Sequence, residues 1–352
     1  MSSISVNTIT DASGGSTTSI NGFTPSVSNM AGRNRIINGN FDIWQRGTSF
    51  TGNFTNSYGA DRWAQGQFQT GPQSRQTITQ GQGPTSQYCI RISDTNATGS
   101  RSALSQMIES VNSIDLAGQQ VTLSFWIRFS AASRPDNSVF DYQLSEYDSV
   151  DPVHLSTGAT RTNGTNISSG SLPTVWTKYT KTITAGASMK NLGVRFLFND
   201  LRTASSEGDF WYEVAEVQVE AGSVATPFEH RQYGQELALC QRYYYVLSAA
   251  SNQNTFFSST SGYTSTQALC VIPFSNTMRT NPSLVTSGTA SDYRLIMGGS
   301  FLTCSSVPTM DQPNPNSANL IFTVSSGIVV GYGGQALANN TTSAFLGFSA
   351  EL

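Results

Sequence analysis

The chain has 352 residues, enough for two or three modules rather than one ordinary sandwich, and only 12% of them are charged, about half the share of an average soluble domain. A formal net charge of −3 argues against nucleic acid, which needs a basic footprint, and no apolar run approaches the roughly 20 residues that span a bilayer. Ser, Thr, Asn, Gln and Gly stand where charges usually do, which suits extended strands, tight turns and neutral hydrogen-bonding surfaces.

Residues 1–33 read as an extended segment. Met1 to Met30 lacks the basic and apolar regions of a secretory signal, and its one charge is Asp11. The chain is therefore expected to be made in a cytoplasm and to leave it by another route. Ile4 to Ile9 alternates with period two and can form a short strand, but so short a piece cannot bury a core of its own. It is expected to dock on something else, the other reading being a disordered tail.

From Asn34 the pattern changes. Phe41, Trp44, Phe50, Phe54, Tyr58, Trp63 and Phe68 crowd into a stretch broken by Gly and Asn, and Trp44 and Trp63 are read as core. In Val121 to Phe129 the residues Val121, Leu123, Phe125, Ile127 and Phe129 share one face of a strand, with Thr122, Ser124, Trp126 and Arg128 on the other. Tyr88 to Ile92 and Leu192 to Phe198 repeat the alternation, and Val175 to Ile183 and Phe210 to Val219 supply further strands. Short alternating strands between turn signals predict an all-β antiparallel jelly-roll sandwich over residues 34–230.

One connecting helix follows. Tyr233, Leu237, Cys240 and Tyr244 recur at helical spacing, with Glu236 in the first turn where the dipole favours a negative charge. The chain then returns to strands at Tyr243–Val246, Gln267–Phe274, Ser283–Thr286, Tyr293–Ile296, Leu320–Val324, Ile328–Tyr332 and Ala344–Glu351. Residues 231–352 are thus expected to form the helix and a second, smaller β-sandwich, whose low charge suits a face buried against copies of itself.

Catalytic signatures are missing. There is no Gly-x-Ser-x-Gly elbow, phosphate-cradling loop or H-E-x-x-H helix, and the two histidines are His154 and His230. His230 reads as structural. Asp141, Glu146, Asp148 and Asp151, ahead of His154, form a loop cluster with three readings: a solvated loop, a calcium site, or a carboxylate pair for glycoside hydrolysis. The first fits best, and no enzyme is expected. Cys89, Cys240, Cys270 and Cys304 are far apart and read as packing thiols. Sugars stack their C–H faces on flat aromatic rings, so Trp126 and Arg128, opposite the core on the central strand, are the candidate glycan platform, with Tyr142 and Tyr147 able to join it. The competing reading buries Trp126 under a loop or a neighbouring subunit.

Two blocks carry a resemblance. Met30 to Gly47, followed by Ala60-Asp61-Arg62-Trp63, resembles the start of carbohydrate-binding-like modules in tailed-phage tail fibres, and Val217 to Arg231 resembles their end. Tyr233 to Tyr244 is similar to the joint that follows such a module. Pro273-Phe274, Met278 to Pro282 and Phe348 to Leu352 are similar, less specifically, to the family's C-terminal domain. The resemblance implies a non-catalytic virion protein, a homotrimeric tail fibre that contacts host surface polysaccharide and is fixed to other virion proteins through residues 1–33. A head fibre, capsid decoration or adaptor without a glycan ligand is the alternative. It implies no required cofactor, and a structural calcium at Asp42 and Glu220.

Overall fold

The computed structural model describes residues 32–50, 57–65, 72–94, 101–131, 139–152, 159–168, 170–199 and 210–352. Residues 1–31 of the expected docking segment, with Phe54, Phe68 and His154, lie outside the described residues.

The strands in chain order are β1 (Ser49–Phe50), β2 (Ser57–Tyr58), β3 (Ala64–Gln65), β4 (Gln73–Thr77), β5 (Tyr88–Asp94) and β6 (Arg101–Ile108). They continue as β7 (Gln120–Phe129), β8 (Val139–Tyr147), β9 (Arg161–Ser168), β10 (Thr177–Thr184), β11 (Asn191–Asn199) and β12 (Phe210–Ala221). A helix, α1 (Tyr233–Gln241), separates these from β13 (Tyr244–Ser248), β14 (Phe256–Gly262), β15 (Gln267–Pro273), β16 (Ser283–Thr286) and β17 (Tyr293–Met297). The last are β18 (Ser300–Thr303), β19 (Thr309–Asn314), β20 (Ser317–Thr323), β21 (Gly333–Ala338) and β22 (Phe345–Ser349).

The chain divides into two compact units. One comprises the described parts of the chain up to Phe41, of Ser49–Ser57 and of Trp63–His230; the other comprises Asp42–Thr48, Tyr58–Arg62 and Arg231–Leu352. The chain thus changes unit after Phe41, Thr48, Ser57, Arg62 and His230.

The first unit is the jelly-roll sandwich. One sheet runs β1-β4-β5-β12-β7-β10 and the other β2-β3-β6-β11-β8-β9. Within them β5-β12-β7-β10 faces β6-β11-β8-β9, and the chain passes between the sheets from β5 to β6, β7 to β8 and β10 to β11, the winding of a jelly roll. The alternation in β7 produces this core. Val121, Leu123, Phe125, Ile127 and Phe129 are all buried. The Phe125 ring lies 4.8 Å from Phe196 of β11, and the Phe129 ring 5.2 Å from Phe140 of β8. Burying each such ring stabilises the sandwich by roughly 1.5–3 kcal/mol.

The two recognisable blocks meet here. Arg35 N donates to Val219 O at 2.8 Å, Asn34 Nδ2 donates to Val217 O at 3.1 Å, and Val217 N donates to Gly39 O at 2.9 Å. This contact surrounds a bulge in β12, where the register shifts between Ala215 and Gln218 and Glu216 takes φ 50°. A side chain at Gly39 would place its Cβ 2.1 Å from Val217 O, so only glycine lets the N-terminal block lie against the bulge. Trp63, fully buried, donates from Nε1 to Asn38 O at 2.9 Å.

The second unit is a smaller sandwich. A three-stranded sheet, β13-β22-β16, and a seven-stranded sheet, β18-β17-β21-β14-β15-β20-β19, share a core that includes Tyr293, Leu320, Phe322, Leu346 and Phe348. Three expectations for this region are corrected. The helix ends at Gln241, and Tyr244 opens β13 instead of completing a helical face. The buried side of α1 is Glu236 and Cys240, while Tyr233 is exposed. An ion pair explains the buried acid, since Arg231 Nη1 reaches Glu236 at 3.3 Å with both side chains buried. Ile328–Tyr332 is a turn, not a strand, and exposes Val329, Val330 and Tyr332. No helix of the described residues is long and apolar enough to cross a membrane.

Candidate functional site

The outer face of the first sheet gathers charge and aromatic rings across three neighbouring strands. Arg91 of β5 and Arg128 of β7 both sit opposite Glu213 of β12 in the register. Arg91 Nη2 reaches Glu213 Oε1 at 2.6 Å, and Arg128 Nε pairs with Glu213 Oε2 at 2.5 Å. Glu213 is fully buried beneath these two guanidiniums, each of which stays about a quarter exposed. Both carboxylate oxygens therefore accept from arginine, and Glu213 serves here to hold the two guanidiniums in register.

Two indoles flank this row. Trp211, two residues before Glu213 on the same face of β12, is half-buried; its ring centre lies 4.1 Å from the Arg91 guanidinium and 5.8 Å from that of Arg128. Trp176 lies 4.9 Å from Arg128 and is buried, and its Nε1 finds no hydrogen-bond partner among the described residues. A half-buried indole held by a guanidinium 4.1 Å from its centre, with a second at 5.8 Å, presents a rigid apolar surface edged with hydrogen-bond donors. Chemically it can stack on a flat apolar face and donate to oxygen atoms at its rim.

The expected platform is only partly reproduced. Arg128 is in this row, but Trp126 is not free. Its ring lies under the turn at Gly83, where a Cβ would fall 2.8 Å from Trp126 Cζ3, and it packs with Ile78, Cys89, Trp176 and Ala215. That turn is pinned by Glu216, whose Oε1 accepts from Thr85 N at 2.6 Å, Thr85 Oγ1 at 2.8 Å and Ser86 N at 2.8 Å. His230 Nε2 lies 2.8 Å from the same Thr85 hydroxyl, so its role here is to hold the turn.

Tyr142 and Tyr147 do not join the platform. Tyr142 is buried between the sheets, its ring 5.0 Å from Phe125, because its position in β8 alternates inward. Tyr147 is buried as well, and burial pushes its hydroxyl pKa up to about 12 against the opposing influence of Arg195. The residue missed by sequence reasoning is Trp211. Its signal was the alternation of Phe210, Tyr212 and Val214 inward, which forces Trp211 and Glu213 to the outer face beside oppositely charged neighbours.

The acid cluster does not converge. Asp141 accepts from Thr165 N at 3.1 Å; Glu146 accepts from Arg161 Nε at 2.9 Å and Gly186 N at 2.7 Å. Asp148 is held below the usual carboxylate range by its hydrogen bond from Arg161, and Asp151 accepts from Ser110 N at 2.7 Å. Glu146 and Asp148 thus share Arg161, while Asp141 and Asp151 each bind a separate backbone N–H. Glu220, expected as a calcium ligand, already accepts from Gln218 Nε2 at 2.8 Å, Thr226 N at 2.9 Å and Thr226 Oγ1 at 2.7 Å. Asp42 is half-buried. Among the described residues no three or more His, Cys, Asp or Glu side chains gather in one place.

No protein-family model matches the chain, and no curated protein is similar to it. Solved structures of similar shape include TmCBM61 in complex with β-1,4-galactotriose, at 9% identity over 54% of this chain and 99% of that one, with a TM-score of 0.33. The family 11 carbohydrate-binding module from Clostridium thermocellum, in complex with a mixed-linked tetrasaccharide, matches at 11% identity over 50% and 99%, with a TM-score of 0.30. The enzymatically active domain of bacteriophage CBA120 tailspike protein 4 matches at 14% identity over 54% of this chain but 21% of its own, with a TM-score of 0.33. Likenesses this distant carry no argument about what this chain binds.

Proposed function

We propose that this chain is a non-catalytic carbohydrate-binding protein of a tailed-phage particle, a homotrimeric tail fibre whose sandwich contacts host surface polysaccharide. The observation that supports the binding role is the row Arg91–Glu213–Arg128 with Trp211 beside it, where an indole is fixed by cation–π contacts and still half-exposed. A pyranose can lay its C–H face on that ring while its hydroxyls meet the guanidiniums. The virion role is supported by the paired sequence blocks, Met30 to Gly47 with Ala60 to Trp63, and Val217 to Arg231; Asn34, Arg35 and Gly39 of the first bond Val217 and Val219 of the second beside the β12 bulge.

Glycan-array binding and host adsorption test the reading together. Purified protein is expected to bind at least one surface glycan and to block adsorption of the phage. Trp211→Ala is expected to weaken binding at least about tenfold, the loss of roughly 1.4 kcal/mol, with the melting temperature little changed. Full binding by Trp211→Ala would remove this face as the site. Sedimentation at micromolar concentration is expected to give the mass of three chains, and a monomer would remove the tail-fibre assignment.

A further inference from the structure

The seven-stranded sheet of the second unit is not continuous. β14 is paired with β21 from Phe256 to Ser261, and β15 with β20 along its whole length, yet β14 and β15 pair with each other only at Ser261–Leu269 and Gly262–Ala268. Beyond those two pairs the strands part. A register shift between Phe256 and Ser258 turns β14 away, and β15 ends on Pro273, which has no N–H to donate. Pro273 lies on the same edge of its strand as Val271, whose carbonyl accepts from the Ser258 hydroxyl instead of a backbone N–H, so the ladder lacks one donor there.

The gap opens into a hollow of about 520 Å³ lined by Ser258 to Ser261, Leu269 to Val271 and Asn319. That volume lies within the range of small-molecule sites. The lining holds four hydroxyls, one of which, Ser258 Oγ, is already given to Val271 O, together with the Asn319 amide, the buried Cys270 thiol, no charged side chain, and the methyl groups of Leu269 and the exposed Val271. Thr260 Oγ1 is buried there and finds no hydrogen-bond partner among the described residues. A ligand matched to this wall is neutral, rich in hydroxyls, and able to present C–H groups to aliphatic carbons. An inserted peptide strand is disfavoured, because Ser258 Oγ already bridges the gap to Val271 O at 3.1 Å.

We propose that this hollow is a second saccharide site, for a neutral mono- or disaccharide, independent of the Trp211 face. The test titrates the full chain with glucose, galactose, N-acetylglucosamine and their disaccharides, read by saturation-transfer NMR and calorimetry. Binding to the hollow is expected to persist in Trp211→Ala. It is expected to weaken at least about tenfold in Asn319→Ala and in Ser261→Val, both on exposed or half-exposed strand positions where the melting temperature should hold. No binding by Trp211→Ala to any of these sugars overturns the proposal while leaving the sandwich face intact. Unchanged binding by both hollow variants overturns it as well. Loss in the hollow variants with none in Trp211→Ala upholds it.

Discussion

The guanidinium of Arg62 lies 3.6 Å from the centre of the Tyr243 ring and pairs with the Glu351 carboxylate, so a residue early in the sequence is fixed by the penultimate one. Arg46 repeats the arrangement over Tyr244 at 3.5 Å and reaches Glu351 Oε1 at 3.1 Å. Arg279 Nη2 donates to Glu351 O at 2.9 Å, and the Tyr58 hydroxyl donates to Leu352 O. Arg62 and Glu351 are both buried, so their desolvation is offset only while the network is complete.

Glu351→Ala is therefore expected to cost about 3–5 kcal/mol, because it leaves the buried Arg62 and the half-buried Arg46 without their shared partner. Removing the charges together, as Arg62→Met with Glu351→Leu, is expected to cost less than the sum of the single changes. Urea denaturation of the three variants measures this. Additive costs would show that the pair contributes nothing beyond its separate contacts.

Asp61 belongs to the same unit and has a sign opposite to the usual surface acid. Burial raises its pKa, opposed by Arg46 at 3.8 Å and by hydrogen bonds from Gln45. The folded state then binds a proton that the unfolded chain has released, so stability falls as pH rises from the ordinary carboxylate range through the folded pKa. Asp61→Asn is expected to flatten that fall. Unfolding free energies from pH 4 to pH 7 supply the check, and an unchanged slope would assign it to other groups.

The four cysteines are free and buried. Burial pushes the thiols of Cys270 and Cys304 up to about 12 and raises those of Cys89 and Cys240 further from the reactive range. Native protein at pH 8 is expected to leave all four unlabelled by a thiol reagent over minutes, with four equivalents reacting in denaturant. Prompt native labelling of any one would show that its surroundings open.

Gly83 is the point at which the turn over Trp126 touches the ring, at φ 130°. Gly83→Ala meets both a strained backbone and a ring atom at 2.8 Å, and is expected to destabilise by about 1–3 kcal/mol and to shift Trp126 fluorescence to the red. Glu216→Ala should give the same spectral shift by another route, since it frees the donors of Thr85 and Ser86. Unshifted emission in both variants would mean the turn does not shield the ring.

The sandwich was legible because period-two alternation in β7 and β11 is a local property, and Val121 to Phe129 sort to one face without knowledge of their neighbours. The candidate face was half legible. Alternation placed Arg128 outward correctly, but only the pairing of β5, β12 and β7 brings Arg91, Glu213 and Trp211 to it. Trp126 shares that alternation, yet a distant contact between Glu216 and Thr85 folds a turn over it. Tyr142 and Tyr147 failed because their strand was not recognised, so their phase was unknown. The helical face drawn through Tyr244 failed because spacing cannot see that β22 pairs with the residues from Tyr244 onward.

The boundary at His230 is crossed by the composition of the second unit, which includes Asp42–Thr48 and Tyr58–Arg62. Those short pieces supply Gln45, Arg46, Tyr58, Asp61 and Arg62. Gln45 Nε2 donates to Tyr244 O at 2.6 Å, and Arg62 and Arg46 hold Glu351. A fragment of residues 231–352 keeps Glu351, Tyr243 and Tyr244 but loses both arginines, which exposes two aromatic faces and leaves a carboxylate without its guanidinium partners. It is expected not to unfold cooperatively on heating and to aggregate, whereas residues 34–352 should melt in at least one sharp transition. Circular dichroism melts and amide NMR dispersion of the two proteins decide the matter. A fragment 231–352 with dispersed spectra and a melting temperature equal to that of the longer chain would show that the network is dispensable.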